Sequence, residues 1–174
     1  MQMLVKTAQT DSLTGLYNRK FLEIYIDTVI YNGRLKGKPC GLMMVDIDFF
    51  KLINDNYGHD IGDIAIRTIS NTLMDVVAKD DVIIRFGGEE FIVVLADCTE
   101  ERLEHTAEEV RIAFSQQKIH AGSETFSKTV SIGISLFPNK QQDFWKYVKQ
   151  SDIALYVAKQ GGRNRVVRYK EGME

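Results

Sequence analysis

The segment CGLMMVDIDFF, residues 40 to 50, constrains this chain more than any other. It is a compact apolar run, too short for a globular helix and continuous enough to be a buried strand. It nevertheless carries Asp46 and Asp48. A carboxylate placed where a strand should be buried is costly unless it finds a partner or a metal. The fold has to bury the strand and still provide for two acids near its end.

A second pair of acids stands in RFGGEEF, residues 85 to 91, between VII before it and IVVL after it. Residues 82 to 96 read as a hairpin, with Gly87 and Gly88 expected to supply unusual backbone dihedrals at the turn. On their own, Glu89 and Glu90 fit solvated turn acids. If the hairpin lies beside the strand of Asp46, however, Asp46 and one glutamate can share a magnesium ion, which favours hard oxygen ligands completed by substrate phosphates and water. Adjacent acids also repel, and a bound cation relieves the cluster. Lys51, five residues after Asp46, is within reach of a phosphate at such an ion, although lysine is also the commonest of surface residues.

Around these segments the periodicity sets the remaining elements. Phe21, Leu22, Tyr25, Ile26, Val29 and Ile30 recur at helical spacing, and Gly33, Gly37 and Pro39 end that helix. NDNYGHDIGD reads as a polar connection, followed by a helix whose apolar face runs from Ile61 to Val77. Thr99 is an N-cap ahead of Glu100 and Glu101, with Leu103, Ala107, Val110 and Phe114 marking the buried stripe. TFSKTVSIGISLF (125 to 137) alternates as a strand, NKQQ (139 to 142) resembles a capping box ahead of a last helix ending at KQGG, and RVVRY is a final short strand. This order predicts an α+β domain, a central and mostly antiparallel five-stranded sheet flanked by helices.

Composition narrows the function classes. At 174 residues the chain is one domain in size. Its 22 basic and 24 acidic residues leave a net charge of −2, which does not favour a nucleic-acid partner. No apolar run approaches the roughly 20 residues of a membrane span, and the first residues do not read as a secretory signal. Cys40 and Cys98 lie in no metal or redox spacing and read as reduced thiols, which points to a cytoplasmic setting.

Four polar residues keep two readings each. Asn54 and Asp63 suit a guanine edge, since a carboxylate accepts from both N1–H and the N2 amino group. They also fit a turn residue and an acid at a helix start. Lys159 and Arg163, four residues apart in AKQGGRNR, fit either a helix C-terminus or a triphosphate tail.

Taken together, DSLTGLYNR (11 to 19), DIDFFKLINDNYGHDIGD (46 to 63), RFGGEEF, TVSIGIS (129 to 135) and SDIALYVAKQGGRNRV (151 to 166) resemble the GGDEF family of diguanylate cyclases. The resemblance covers about residues 10 to 169. It implies a fold like the palm of nucleotide cyclases and polymerases, with residues 11–174 as the catalytic domain and residues 1–10 as a lead-in from a missing or separate regulatory region. It implies magnesium, with manganese as a substitute, held by the Asp46 and Glu89 carboxylates and the Ile47 carbonyl, with Glu90 assisting. Glu89 would also accept the 3′-hydroxyl proton. The amides of Phe49 and Phe50 would hold phosphates, Lys51 would stabilise transition-state charge, Lys159 and Arg163 would grip the terminal phosphates, and Asn54, His59 and Asp63 would define the nucleotide pocket.

The reaction so implied joins two GTP into cyclic di-GMP with loss of two pyrophosphates, across two domains facing each other as a homodimer. An upstream sensor or dimerisation module is the expected partner, with no nucleic acid and no membrane insertion. A non-catalytic GTP-sensing or partner-recruiting module is the rival reading, and the intact set of Asp46, Lys51, Glu89 and Glu90 argues against it. Many relatives carry an inhibitory RxxD product site ahead of the naming motif. Here that stretch is AKDD (78 to 81), so Asp81 remains while Ala78 replaces the arginine. Product inhibition through this site is therefore expected to be weak or absent, with Lys79 as a partial substitute.

Overall fold

The computed structural model describes residues 8–174; residues 1–7 of the expected lead-in lie outside the described residues. β1 (Cys40–Ile47) is buried along all eight residues. It pairs antiparallel with β3 (Glu90–Leu95) on one side and β6 (Val130–Phe137) on the other. β2 (Val82–Arg85) lies outside β3, and β7 (Val166–Arg168) joins β6 in parallel, which completes a five-stranded sheet in the order β2-β3-β1-β6-β7. The expected sheet is observed, mostly antiparallel and with one parallel edge.

The period of two along a strand divides the core. Met43, Val45, Phe91, Val93, Leu95, Ile132 and Ile134 point to one face, against α2 (Phe50–Tyr57), α3 (His59–Val76) and α4 (Glu100–Ser115). Leu42, Met44, Ile92 and Val94 point to the other, against α1 (Arg19–Tyr25, continued by a π-turn over Ile26–Tyr31) and α5 (Phe144–Gln160). Cys40 belongs to the second core and Cys98 to the first, and both are free thiols. α5 lies very close to β6 because Gly133 has no side chain: a Cβ there would stand 2.0 Å from the Ser151 carbonyl oxygen and 2.3 Å from the Leu155 nitrogen. That contact sets where α5 crosses the sheet end. Thr99 caps α4 as expected, its hydroxyl accepting from Arg102 N at 3.1 Å.

Four local expectations are corrected. Residues 50–57 form α2 instead of leading into a connection, because Phe49 turns left-handed (φ 57°) and the helix needs only Ile53 fully buried while its polar face stays wet. Gly58 (φ 87°) then separates α2 from α3. Gly87 and Gly88 are absent from the positive-φ residues; the hairpin closes through Phe86 N and Gly87 N on the Glu90 carbonyl at 2.9 and 3.1 Å. The strand expected over 125–137 is divided, since β5 (Glu124–Phe126) pairs with β4 (Ile119–Ala121) in a separate hairpin. NKQQ is not a capping box. α5 begins at Phe144 behind Asp143, which makes no side-chain cap, and the Asn139 amide instead donates to the carbonyls of Ile30, Leu35 and Lys38 at 2.7–3.2 Å.

Candidate active site at the end of the central strands

Asp46 sits opposite Glu90 in the β1–β3 register and faces α5. Together with Glu89, Asp152, Leu155, Tyr156 and Lys159 they line a cavity of about 350 Å³. Asp46 is 3% exposed. Its Oδ2 takes the Lys159 ammonium, while Oδ1 is buried with no hydrogen-bond partner. Burial raises the Asp46 carboxyl above its ordinary value in spite of the lysine. Glu89 and Glu90 are raised as well, first by burial and then by the neighbouring Asp46 charge. Three acids thus share a region where their charged forms are poorly compensated, and one oxygen is left without a donor. Such a set fits a hard divalent cation, for which two carboxylates, a backbone oxygen, phosphates and water suffice. Among the described residues no three His, Cys, Asp or Glu side chains form a ready-made cage.

Asp48, two residues on, is in the opposite condition. At 1% exposure it accepts from Thr129 Oγ1 and Ser131 Oγ at 2.6 Å each and from Asn164 N at 2.9 Å. Phe49 follows, half-exposed, with the Arg163 guanidinium carbon 4.6 Å from its ring centre. Phe50 opens α2, and Lys51 projects from its first turn into solvent. Phe49 and Arg163 are therefore grouped at the end of β1, Phe50 and Lys51 follow in the first turn of α2, and Lys159 rests on Asp46 itself.

Asn54 lies further along α2, where its Oδ1 is buried without a partner. Gly62 of α3 makes room for it, since a Cβ on Gly62 would stand 1.9 Å from that oxygen. His59 and Asp63 belong to the same first turns of α3; His59 is exposed and Asp63 half-buried. The structure thus packs Asn54 against the start of α3, with an unanswered acceptor between the two helices.

Some participants carried no assigned role in the sequence. Arg85 donates to both Asp11 oxygens at 3.1 Å and to the Gly88 carbonyl at 2.7 Å, tying the DSLTG turn to the GGEE turn. Burial pushes Asp11 up, but the Thr14 hydroxyl and amide together with Arg85 outweigh this and hold it below its ordinary value. Both residues stood inside quoted motifs; the unmatched charge of Arg85 at a strand end was the available signal. Asp152 also stood inside a quoted motif, but only the crossing of α5 brings it to the cavity. The Asp81 carboxylate is fully engaged: it receives Arg102 at 2.5 Å, Ala96 N at 2.8 Å and Ala78 N at 3.1 Å.

A mixed sheet with paired acids at the end of its central strands, an unanswered carboxylate oxygen and a lysine beside it defines a palm-like domain with a candidate cation site. The family model described as "Diguanylate cyclase, GGDEF domain" matches residues 8–165, and the chain belongs to the GGDEF family. It is 37% identical over 94% of its length to the diguanylate cyclase DosC of Escherichia coli, of which it covers 35%. It is also 37% identical over 94% of its length to the response regulator PleD of Caulobacter vibrioides, of which it covers 36%. The chain thus spans about a third of these curated relatives. The coiled coil and GGDEF domain of DgcB from Caulobacter crescentus, solved in complex with c-di-GMP, superposes with a TM-score of 0.87 at 31% identity, covering 96% of this chain and 88% of that one. No helix among the described residues is long and apolar enough to cross a membrane.

Proposed function

We propose that this domain condenses two GTP molecules into cyclic di-GMP and releases two pyrophosphates, acting as one half of a homodimer. The observation that carries the reading is the buried, partnerless Asp46 Oδ1 beside two glutamates whose carboxyls are raised. Asp46, Glu89 and the Ile47 carbonyl hold magnesium, with Glu90 in support and manganese as a substitute. The bound ion supplies Lewis-acid polarisation of the phosphoryl oxygens.

The chain's own residues do the rest. Asn54, His59 and Asp63 receive the guanine, where the Asn54 Oδ1 gains the donor it lacks. The Phe49 and Phe50 amides, Lys51 and Arg163 hold the phosphates. Lys159 leaves Asp46 as nucleotide and cation arrive, moving from one anion to another. Glu89 takes the 3′-hydroxyl proton as general base. The 3′-oxygen forms a bond to the α-phosphorus held by the second copy while the bond from that phosphorus to the bridging oxygen breaks and pyrophosphate leaves. The same step in the other direction closes the ring.

The DgcB structure holds a coiled coil together with its GGDEF domain, and an upstream sensor or dimerisation module fits this chain in the same way. Cytoplasmic placement belongs to the same reading, since GTP is the substrate. The test is concentrated protein with GTP and magnesium, product read by mass. Cyclic di-GMP is expected, and its loss in Glu89→Ala with the fold intact. GTP binding without turnover, even in a covalently enforced dimer, would replace this reading with a GTP-sensing module.

A further inference from the structure

We propose that Asp48 is a positioning residue, a latch that joins the loop carrying Arg163 to the turn carrying Phe49 and so orients the grip on the nucleotide's terminal phosphates. The inference rests on the reading above for the identity of the ligand. Its own footing is the set of donors around Asp48. Two are hydroxyls of Thr129 and Ser131, from the start of β6 and the residue just before it, and one is the backbone N–H of Asn164, from the loop after α5. The Asp48 N–H also donates to the Thr129 carbonyl at 2.9 Å. One buried carboxylate therefore fastens three stretches that are remote in sequence.

The loop it fastens needs holding. Gly162, Arg163 and Asn164 all have positive φ, at 118°, 64° and 46°. Arginine and asparagine reach that region at a cost that surrounding contacts must offset. The Asn164 side chain adds a second tie, its Oδ1 accepting from Arg111 at 3.1 Å. With both ties made, the Arg163 guanidinium lies over the Phe49 ring at 4.6 Å, at the mouth of the β1–α2 turn. Without Asp48, the Asn164 N–H loses its acceptor and Arg163 loses its fixed position, whereas Asn54, His59 and Asp63, the residues proposed for the guanine, are untouched. A latch of this kind predicts a loss that depends on the phosphates and not on the base.

The experiment compares affinities for GTP and GMP, with magnesium present, in the wild type, Asp48→Ala, Arg163→Ala and the double variant. Asp48→Ala is expected to weaken GTP about tenfold, as for lost hydrogen bonds to a charged group, and to leave GMP within about twofold. The double variant is expected to bind GTP no worse than Arg163→Ala alone, because the two residues act as one unit. Asp48→Asn is expected to restore most of the affinity, since the amide oxygen accepts from Thr129 and Asn164 and its NH2 donates to the Ser131 hydroxyl. If Asp48→Ala does not fold, Ser131→Ala removes one donor and is expected to give a GTP-selective loss of about threefold. Equal losses for GTP and GMP, additive losses in the double variant, or failure of Asp48→Asn to rescue would each overturn the latch. A wild type that binds no GTP overturns the nucleotide reading together with it.

Discussion

Asp46 and Asp48 stand two residues apart at one end of the same strand, both almost fully buried, in opposite states. Asp48 has three donors on its two oxygens. Asp46 has a lysine on one oxygen and nothing on the other. Burial costs a carboxylate the same hydration in either place, so the difference lies in how much of it the protein gives back. Where the protein gives back everything, as at Asp48 and Asp81, the acid holds the structure together. Where it leaves an oxygen unanswered and adds two more acids, the fold has kept a site that a ligand can complete. The pattern repeats on the neutral side: the Asn54 amide oxygen is also buried and unanswered, packed against Gly62.

The comparison is sharpest when one acid of each kind is removed. Asp46→Asn is expected to lower turnover by about 10³-fold, about 4 kcal/mol of transition-state stabilisation, while the stability to denaturant stays within about 1 kcal/mol, because an uncompensated buried charge is lost along with its lysine contact. Paired activity and urea-unfolding measurements check this; a large fall in stability would place Asp46 with the structural acids. Asp81→Ala is expected to do the reverse. Its side chain is 1% exposed and its three donors include Arg102. Losing it leaves the Ala96 and Ala78 amides without their acceptor and Arg102 without its counter-charge, a cost of about 3 kcal/mol in unfolding free energy. Turnover per folded molecule is expected to be unchanged within about twofold. Loss of cyclic di-GMP binding in Asp81→Ala therefore carries meaning only where the variant's fold has been checked.

The sequence made the first half of this contrast legible and hid the second. Two acids in an apolar strand and two in a turn are visible as a pattern, because strand periodicity and hairpin chemistry are local. Which of the two strand acids is satisfied depends on Thr129, Ser131 and Asn164, more than 80 residues away in the chain. The same reason separates the successes and misses of the fold. The Thr99 cap and the central hairpin are decided within a few residues. The division between β5 and β6 is not, because alternation continues through Phe126 and Val130 while the pairing partners change. Nor is the role of Asn139, whose three carbonyl acceptors lie about 100 residues earlier. α2 is only eight residues long, and its apolar positions Phe50, Ile53 and Tyr57 are shared between the end of an apolar strand run and a polar glycine-containing stretch, so its helical period is masked by its neighbours. Gly62 likewise gives no sign in the sequence that it exists to admit Asn54.

The smallest expected effect is a difference in the pH dependence of stability, and it opposes the two kinds of acid directly. Asp46, Glu89 and Glu90 bind protons more tightly in the folded chain than ordinary carboxylates do. The stability linked to such groups is fully present below their unfolded pKa, near 4, and is lost as the pH rises through the raised folded values. Asp11 has the opposite sign, since its folded value is lowered. What it contributes is present above its unfolded pKa and is lost as the pH falls through the folded one. Melting curves in a chelator, taken upward from about pH 4, are therefore expected to show a component that declines with pH in the wild type and is reduced in Asp46→Asn. At neutral pH, millimolar magnesium is expected to restore part of that loss in the wild type, by under about 1 kcal/mol for a weak site without nucleotide, and to do nothing for Asp46→Asn. Parallel curves for the two proteins, with equal responses to magnesium, would mean that the unanswered oxygen of Asp46 is not what the cation completes.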